Sequence, residues 1–444
     1  MSMNTEHPYI GRIWADAAGR DMEQRLFLQT LETLLEGLGP CLEARPYYED
    51  MCLLERLSEP ERMVSFPVLW RDDQGRARTT RGYYVRHSTV LGPCRGGAVF
   101  RAGLNMSVMK AMALESTLEN SLAGLPLGGS AAGADVDTAA MSSRESARFC
   151  QSFMAGLYPC LPPATPPETW LGEELPRREL GYLQGQYERL TNLTRGGGPA
   201  FAAAGPMTRA RAAGYGACYF AQHALRQHTG ARLEGRTAVI TGRDGPAAWA
   251  GEKAVQVGAR VVAVGTPDGY LYAPTGLPLR LLRAMARQPD IPLLLRAIPT
   301  PGVDYCQGPG LWDIPADVFF LCDVSSPMGR EEAERLAVHY PVGVFEGASL
   351  ACGTEAARYL GSCGILYSPG LASGAGGAAL TFHQQHTPGL SYWEADRQLR
   401  TVMGQIFQAA WDESVRAGAP GDLARGARNA AFLRIGEALA AKGI

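Results

Sequence analysis

Apolar and charged residues interleave at three- and four-residue spacing from Asp21 through Leu57, beginning "DMEQRLFLQTLETLLEGL", which is the period of an amphipathic helix. The period then changes. "RMVSFPVLWRDD" and "RTTRGYYVRHS" read as two strands about the turn "DDQGRA", so the helix runs into a hairpin. Helical spacing returns in "NMSVMKAMALESTLENSL" and "SRESARFCQSFMAGLYPCL", each opened by an Asn or Ser cap. Between 125 and 137, "LPLGGSAAGADVD" reads as a glycine-rich loop of the kind that carries catalytic groups. The Pro-rich "CLPPATPPETW" and the Gly/Ala-rich "RGGGPAFAAAGP" punctuate the middle of the chain, the second as a hinge or domain boundary.

Beyond that boundary the order is helix ("GYGACYFAQHALRQH"), buried strand and turn ("RTAVITGRDG"), helix ("PAAWAGEKAVQVG") and strand ("ARVVAVGTPDG"). This βαβ order predicts a parallel sheet with helices on both faces. Further strands are expected at "DVFFLCDV", "VGVFEG" and "GILYSPG". The chain closes with long amphipathic helices in "SYWEADRQLRTVMGQIFQAAWDESVRAG" and "NAAFLRIGEALAAKG".

At 444 residues two domains are the natural expectation. The 46% hydrophobic and 19% charged composition is that of a soluble globular protein, and no apolar run reaches the span of a bilayer. The N-terminal stretch lacks a basic segment followed by an apolar one, so a cytoplasmic location is expected, with a mitochondrial matrix as the alternative. A formal charge of −2 without a basic block gives no reason to expect nucleic acid or an anionic membrane as partner. The ten cysteines are scattered singly and read as reduced, mostly buried thiols, with no metal site. Lysine occurs only at 110, 253 and 442, so a Lys-to-Arg exchange here carries little information.

"MCLLERLSEPERMVSF", "LGPCRGGAVFRAGLN", "ENSLAGLPLGG", "RFCQSFMAGLY", "RRELGYLQGQYERLTN" and "AAGYGACYFAQ" follow one another in the order and spacing of a known family. "EGAS", "SGAGGAA" and "NAAFLRIGEAL" extend the match across essentially the whole chain. The sequence resembles the hexameric NADP-type glutamate dehydrogenases of the Glu/Leu/Phe/Val dehydrogenase superfamily. The resemblance implies an α/β chain of two domains: an N-terminal substrate and oligomerisation domain (1–205, completed by 370–444) and a Rossmann-like doubly wound domain (206–369). It also implies reversible oxidative deamination of glutamate, with hydride passed to a nicotinamide. That reaction needs cations for two carboxylates, a lysine of lowered pKa and a carboxylate to shuttle protons.

Position by position, this chain departs from that pattern. The catalytic lysine of the family's Gly-Gly-Gly-Lys-Gly-Gly falls on Ala131, and a methyl group can neither take a proton nor polarise a carbonyl. The family's Tyr-Lys-Gly-Gly is Cys94-Arg95-Gly96-Gly97, and in Glu-Gln-x-x-Lys-Asn the glutamine and lysine are Ser116 and Glu119. Glu119 places an anion where the family clamps one. The shuttle aspartate falls on Gly172, with Glu173 and Glu174 nearby. In the dinucleotide fingerprint, Gly-x-Gly-x-x-Ala becomes Gly242-Arg243-Asp244-Gly245-Pro246-Ala247, so Asp244 brings a side chain and a charge to the pyrophosphate position. Gly265-Thr266-Pro267 replaces Ser-Asp-Ser, Ala213 replaces a threonine, and Thr381 falls where the family has a pocket serine.

Three readings follow. The favoured one is a pseudoenzyme that keeps the fold and assembly surface, binds no cofactor, and forms a homo-oligomer, a mixed oligomer with an active relative, or part of a larger complex. The second is a divergent active dehydrogenase using NADP or NAD. The third is a different chemistry in the old cleft, for which His383, His386 and Cys94 are the candidates. For the histidines an exposed helix face is the commoner role, and for Cys94 passive replacement of tyrosine.

Overall fold

The computed structural model describes residues 7–161, 175, 177–192, 206–242, 245–288, 290–324, 326–387 and 389–443. The chain divides into two compact units, Met1–Ala204 with Ala431–Ile444, and Gly205–Ala430.

The first unit is built on a sheet of strands β1 (Arg62–Arg71), β2 (Ala77–Ser88), β3 (Cys94–Arg95), β4 (Ala98–Phe100) and β5 (Gly128–Ala134), in the order β1-β2-β5-β3 with β4 also on β5. The hairpin expected between the first two strands forms, with Arg71 opposite Ala77 and Gly75 at φ +78° in the turn. The long helix read from Asp21 to Leu57 is instead four short ones, Arg25–Leu35, Gly39–Glu43, Tyr47–Asp50 and Leu53–Ser58. Pro40 and Pro46 sit at helix starts, and Cys52 adopts a left-handed φ of 50° that turns the chain before the last piece. A further helix, Pro8–Arg20, precedes them.

Helix Met106–Leu122 packs on one face of the sheet, and helices Ser143–Leu157 and Arg177–Thr191 lie with the cluster on the other, which contains Phe149, Phe153, Leu183 and Tyr187. Asn105 and Ser142 cap the first two, accepting from the amides of Val108 and Glu145. The last residues of the chain return to this unit. Arg434 donates to the carbonyls of Ser121 and Leu125 at 2.8 and 3.1 Å, satisfying the end of the Met106–Leu122 helix. Burial holds that guanidinium's pKa below its usual value.

The second unit carries a seven-stranded sheet, β12 (Leu366–Ser368), β11 (Gly343–Glu346), β10 (Val318–Leu321), β6 (Thr237–Thr241), β7 (Arg260–Thr266), β8 (Gly269–Tyr272) and β9 (Asp304–Gln307) in that order. From β12 to β7 every pairing is parallel, the Rossmann-type core that the βαβ pattern predicts. The far edge differs. Only Pro267 and Asp268 separate Thr266 from Gly269, too short a link for a crossover, so β8 folds back antiparallel on β7 and β9 follows it. Helices Arg209–Thr229, Gly245–Gln256, Gly376–His386 and Tyr392–Arg416 belong to this unit. Among the described residues no helix is long and apolar enough to cross a membrane.

Candidate active site

The glycine-rich stretch at 128–134 is not a loop but strand β5, wholly buried and paired on both edges. Its small residues are required by what lies against it. A Cβ on Gly129 would stand 2.1 Å from the Thr117 hydroxyl, and one on Gly96 would stand 1.5 Å from the Ser130 carbonyl oxygen and 3.0 Å from the Ser116 hydroxyl. Asn120 fastens the helix to both strands, its amide donating to the carbonyls of Arg95 and Gly128 at 3.1 and 2.7 Å. The glycines of β3–β5 therefore persist as packing requirements.

Ala131 sits opposite Val85 and is 1% exposed, within an apolar cluster of Tyr83, Val85, Leu104, Met109 and Ala113. Ala131, which the resemblance sets at the family's lysine position, thus makes a closed apolar contact. Arg95 and Glu119 are both buried, as is Glu115 one turn before Glu119, and Ser116 is half-buried beside Gly96. Two cations, Arg95 and the Asp21-paired Lys110, and two carboxylates accordingly lie out of solvent along β3 and the Met106–Leu122 helix. Cys94 donates from Sγ to the Ser88 carbonyl at 3.2 Å, and burial pushes its thiol up to about 12, so it is held protonated. Gly172, Glu173 and Glu174 lie outside the described residues.

Two side chains in this region were not singled out from the sequence. Ser130 is fully buried, with no partner for its hydroxyl among the described residues, and a lone polar residue in "GGSAAGA" is the signal that points to it. His87 is enclosed between Thr117, 2.8 Å from Nδ1, and the Leu57 carbonyl, 3.0 Å from Nε2. Burial lowers its pKa to about 4, which leaves the ring neutral with its proton on Nε2 facing that carbonyl.

In the second unit, Gly242 follows β6 at φ +101°, and a Cβ there would come within 2.9 Å of Ala247. Its amide donates to the Gly265 carbonyl at 2.6 Å. Gly245, at φ +45°, opens the Gly245–Gln256 helix, so strand, glycine turn and helix N-terminus follow one another as a dinucleotide cradle requires. Asp244 and Arg243 lie outside the described residues. Thr266, at the end of β7, is buried, and among the described residues its hydroxyl has no partner, at the edge where a ribose is received in such folds. Ala213 is buried in the Arg209–Thr229 helix, next to Gly214, where a Cβ would lie 2.4 Å from the Pro246 carbonyl oxygen. The turn and the orphaned Thr266 hydroxyl fit a dinucleotide; Pro246 removes one backbone donor from the helix start.

Thr381 donates to the Gly377 carbonyl at 2.6 Å within its own helix. His383 is half-buried, which lowers its pKa, and His386 stacks on Phe382 with ring centroids 4.0 Å apart. No group of three or more His, Cys, Asp or Glu side chains among the described residues could hold a metal ion.

A Rossmann-type sheet with a glycine turn, carried in one chain with a mixed five-stranded sheet, defines a dinucleotide-dependent dehydrogenase architecture. Residues 205–443 match the Glutamate/Leucine/Phenylalanine/Valine dehydrogenase model, and residues 60–166 match the Glu/Leu/Phe/Val dehydrogenase dimerisation domain. The chain belongs to this dehydrogenase family. It is 32% identical to the NAD-specific glutamate dehydrogenase of Clostridium symbiosum, over 98% of this chain and 99% of that one. It is 33% identical to the NADP-specific glutamate dehydrogenase of Haemophilus influenzae, over 96% and 97%. Among solved structures it is similar to Plasmodium falciparum glutamate dehydrogenase, with a TM-score of 0.88 at 28% identity, covering 100% of this chain and 98% of that one. It is also similar to the leucine-bound hetero-hexameric glutamate dehydrogenase of Thermus thermophilus, with a TM-score of 0.76 at 26% identity, covering 91% and 97%.

These relatives correct one expectation. They are named for NAD or NADP specificity, which overturns the reading that no cofactor belongs to this chain. The physical reason lies in backbone conformation: Asp244 and Pro246 read as erosion in the sequence, but Gly242 at φ +101° after β6 and Gly245 at φ +45° at the helix start have the left-handed conformations that such a turn uses.

Proposed function

We propose that this chain is a glutamate dehydrogenase-family subunit that keeps an NAD(P)-type dinucleotide domain and has lost glutamate turnover. The observation that carries this reading is Ala131. Its methyl group fills a closed apolar contact at the family's lysine position, so no group there can activate water or amine. Glu119 adds to it, because the helix position that supplies a cation in the family holds a buried carboxylate here, which offers no clamp to a dicarboxylate substrate. Gly242, Gly245 and Thr266 would hold the dinucleotide, whose nicotinamide supplies hydride chemistry when bound. The chain's role is then that of a structural or regulatory subunit of an oligomer, either of its own copies or mixed with an active relative; the hetero-hexameric Thermus protein shows that the fold accommodates mixed assemblies.

The test is titration of the purified protein with NADH and NADPH, followed by nicotinamide fluorescence, in parallel with calorimetry of glutamate and 2-oxoglutarate. Dinucleotide binding without binding of either dicarboxylate is the expected outcome. Tight glutamate binding would overturn the reading of the substrate side, and absence of any dinucleotide binding would overturn that of the cofactor side.

A further inference from the structure

A polar cavity lies in the Gly205–Ala430 unit, away from the dinucleotide turn. It has a volume of about 340 Å³ and is lined by Gln222, His223 and Arg226 of the Arg209–Thr229 helix, Arg232 and Glu234 ahead of β6, and Arg400 of the Tyr392–Arg416 helix, with Val257 beside them. Its place in the sheet separates it from the cofactor site. Arg232 and Glu234 precede β6 and Val257 precedes β7, so the cavity opens at the N-terminal edge of the parallel strands, whereas Gly242 and Thr266 lie at the C-terminal edge.

Its charge is unbalanced, with three guanidiniums set against one carboxylate. Some arginines of this unit are spent on internal carboxylates: Arg211 and Arg283 share Glu252, and Arg236 pairs with Asp317. Among the described residues Arg226, Arg232 and Arg400 have no carboxylate partner, and Arg400 only overlies the Tyr219 ring at 5.9 Å. His223 is held in place, its ring stacked on Phe407 at 20° and closely approached by Gly404, where a Cβ would stand 3.1 Å from Nε2. Its pKa is lowered first by burial and then by Arg400 and Arg226, so both positive fields reach the same point. Guanidinium forks that are not spent on internal carboxylates match the oxygens of a phosphate group, and a cavity of this size admits a small molecule.

We infer that this cavity is a second ligand site, for a small anion carrying a phosphate or pyrophosphate group, separate from the dinucleotide turn. The three arginines neutralise the anion, and the fixed His223 and Gln222 supply further hydrogen bonds. Because the lining joins the Arg209–Thr229 and Tyr392–Arg416 helices to the strand edge, an occupant ties these elements together, and the site is suited to regulation. This inference does not depend on whether glutamate turnover is lost.

The test is calorimetry of the purified full-length protein with inorganic pyrophosphate and with ADP, each in the presence and absence of saturating NADH, on wild type and on Arg232→Gln and Arg400→Gln. Both substitutions fall on exposed side chains, and unchanged thermal unfolding would confirm that the variants fold. The expected result is binding that NADH does not displace and that weakens about tenfold in each variant, as for loss of a charge-assisted hydrogen bond. Stronger binding of ADP would identify a nucleotide as the occupant, and equal binding a free polyphosphate. The inference is overturned by absence of binding at millimolar concentration, by displacement with NADH, by unchanged affinity in both variants, or by equal affinity for citrate.

Discussion

A methyl group at position 131 and a carboxylate at position 119 say more about this chain's chemistry than any larger feature. Ala131 is packed among Tyr83, Val85 and Met109, so on the proposed function a lysine returned there is expected not to restore a catalyst. Ala131→Lys forces an amine into an apolar cluster, and a loss of roughly 2–4 kcal/mol in stability is expected, read as a lower denaturant midpoint, with no gain in turnover. His87 gives a pH dependence whose sign is fixed by its depressed pKa of about 4. The folded state keeps the ring neutral, so its contribution is fully present above the ordinary histidine pKa of about 6.5 and is lost as pH falls from there through about 4. Wild type should lose up to about 3 kcal/mol more than His87→Gln across that window, measured by urea unfolding at each pH. Ala131 and Glu119 were legible in the sequence because a motif of fixed spacing shows what is missing. His87 was not: a lone histidine in a strand carries no sign of its burial, which depends on Leu57 and Thr117 arriving from elsewhere.

At the level of elements, the hairpin, the capped Met106–Leu122 helix and the βαβ order could be read directly, since each rests on local periodicity and caps. Two features could not. The break-up of 21–57 follows from backbone geometry at Pro40, Pro46 and Cys52, which an alternating pattern conceals. The "GGSAAGA" segment reads as a loop because strand propensity is low, yet tertiary packing makes it the central strand β5. Asn120 is the side chain that holds this strand to its helix, bridging the carbonyls of Arg95 and Gly128. Asn120→Ala leaves those buried acceptors without their donor, and a cost of about 1–3 kcal/mol is expected. Hydrogen exchange should then rise first in β3 and β5, and uniform exchange across both units would contradict this placement of the effect.

Taken whole, the chain keeps the two-domain scaffold of its family. On the proposed function, Gly242, Gly245 and the Thr266 hydroxyl hold the dinucleotide, while Ala131 and Glu119 lack what glutamate chemistry needs. Sequence comparison alone weighted Asp244 and Pro246 as loss of the cofactor, because substitution in a fingerprint is visible and backbone conformation is not. Steady-state assay of the purified wild-type protein in both directions, with glutamate and NAD or NADP and with 2-oxoglutarate, ammonia and the reduced cofactors, puts this account to its most direct test. No turnover above the protein-free blank is predicted with either dinucleotide. A rate near the roughly 10 s⁻¹ of an ordinary enzyme would contradict it, and would mean that a group other than residue 131 performs the lysine's work.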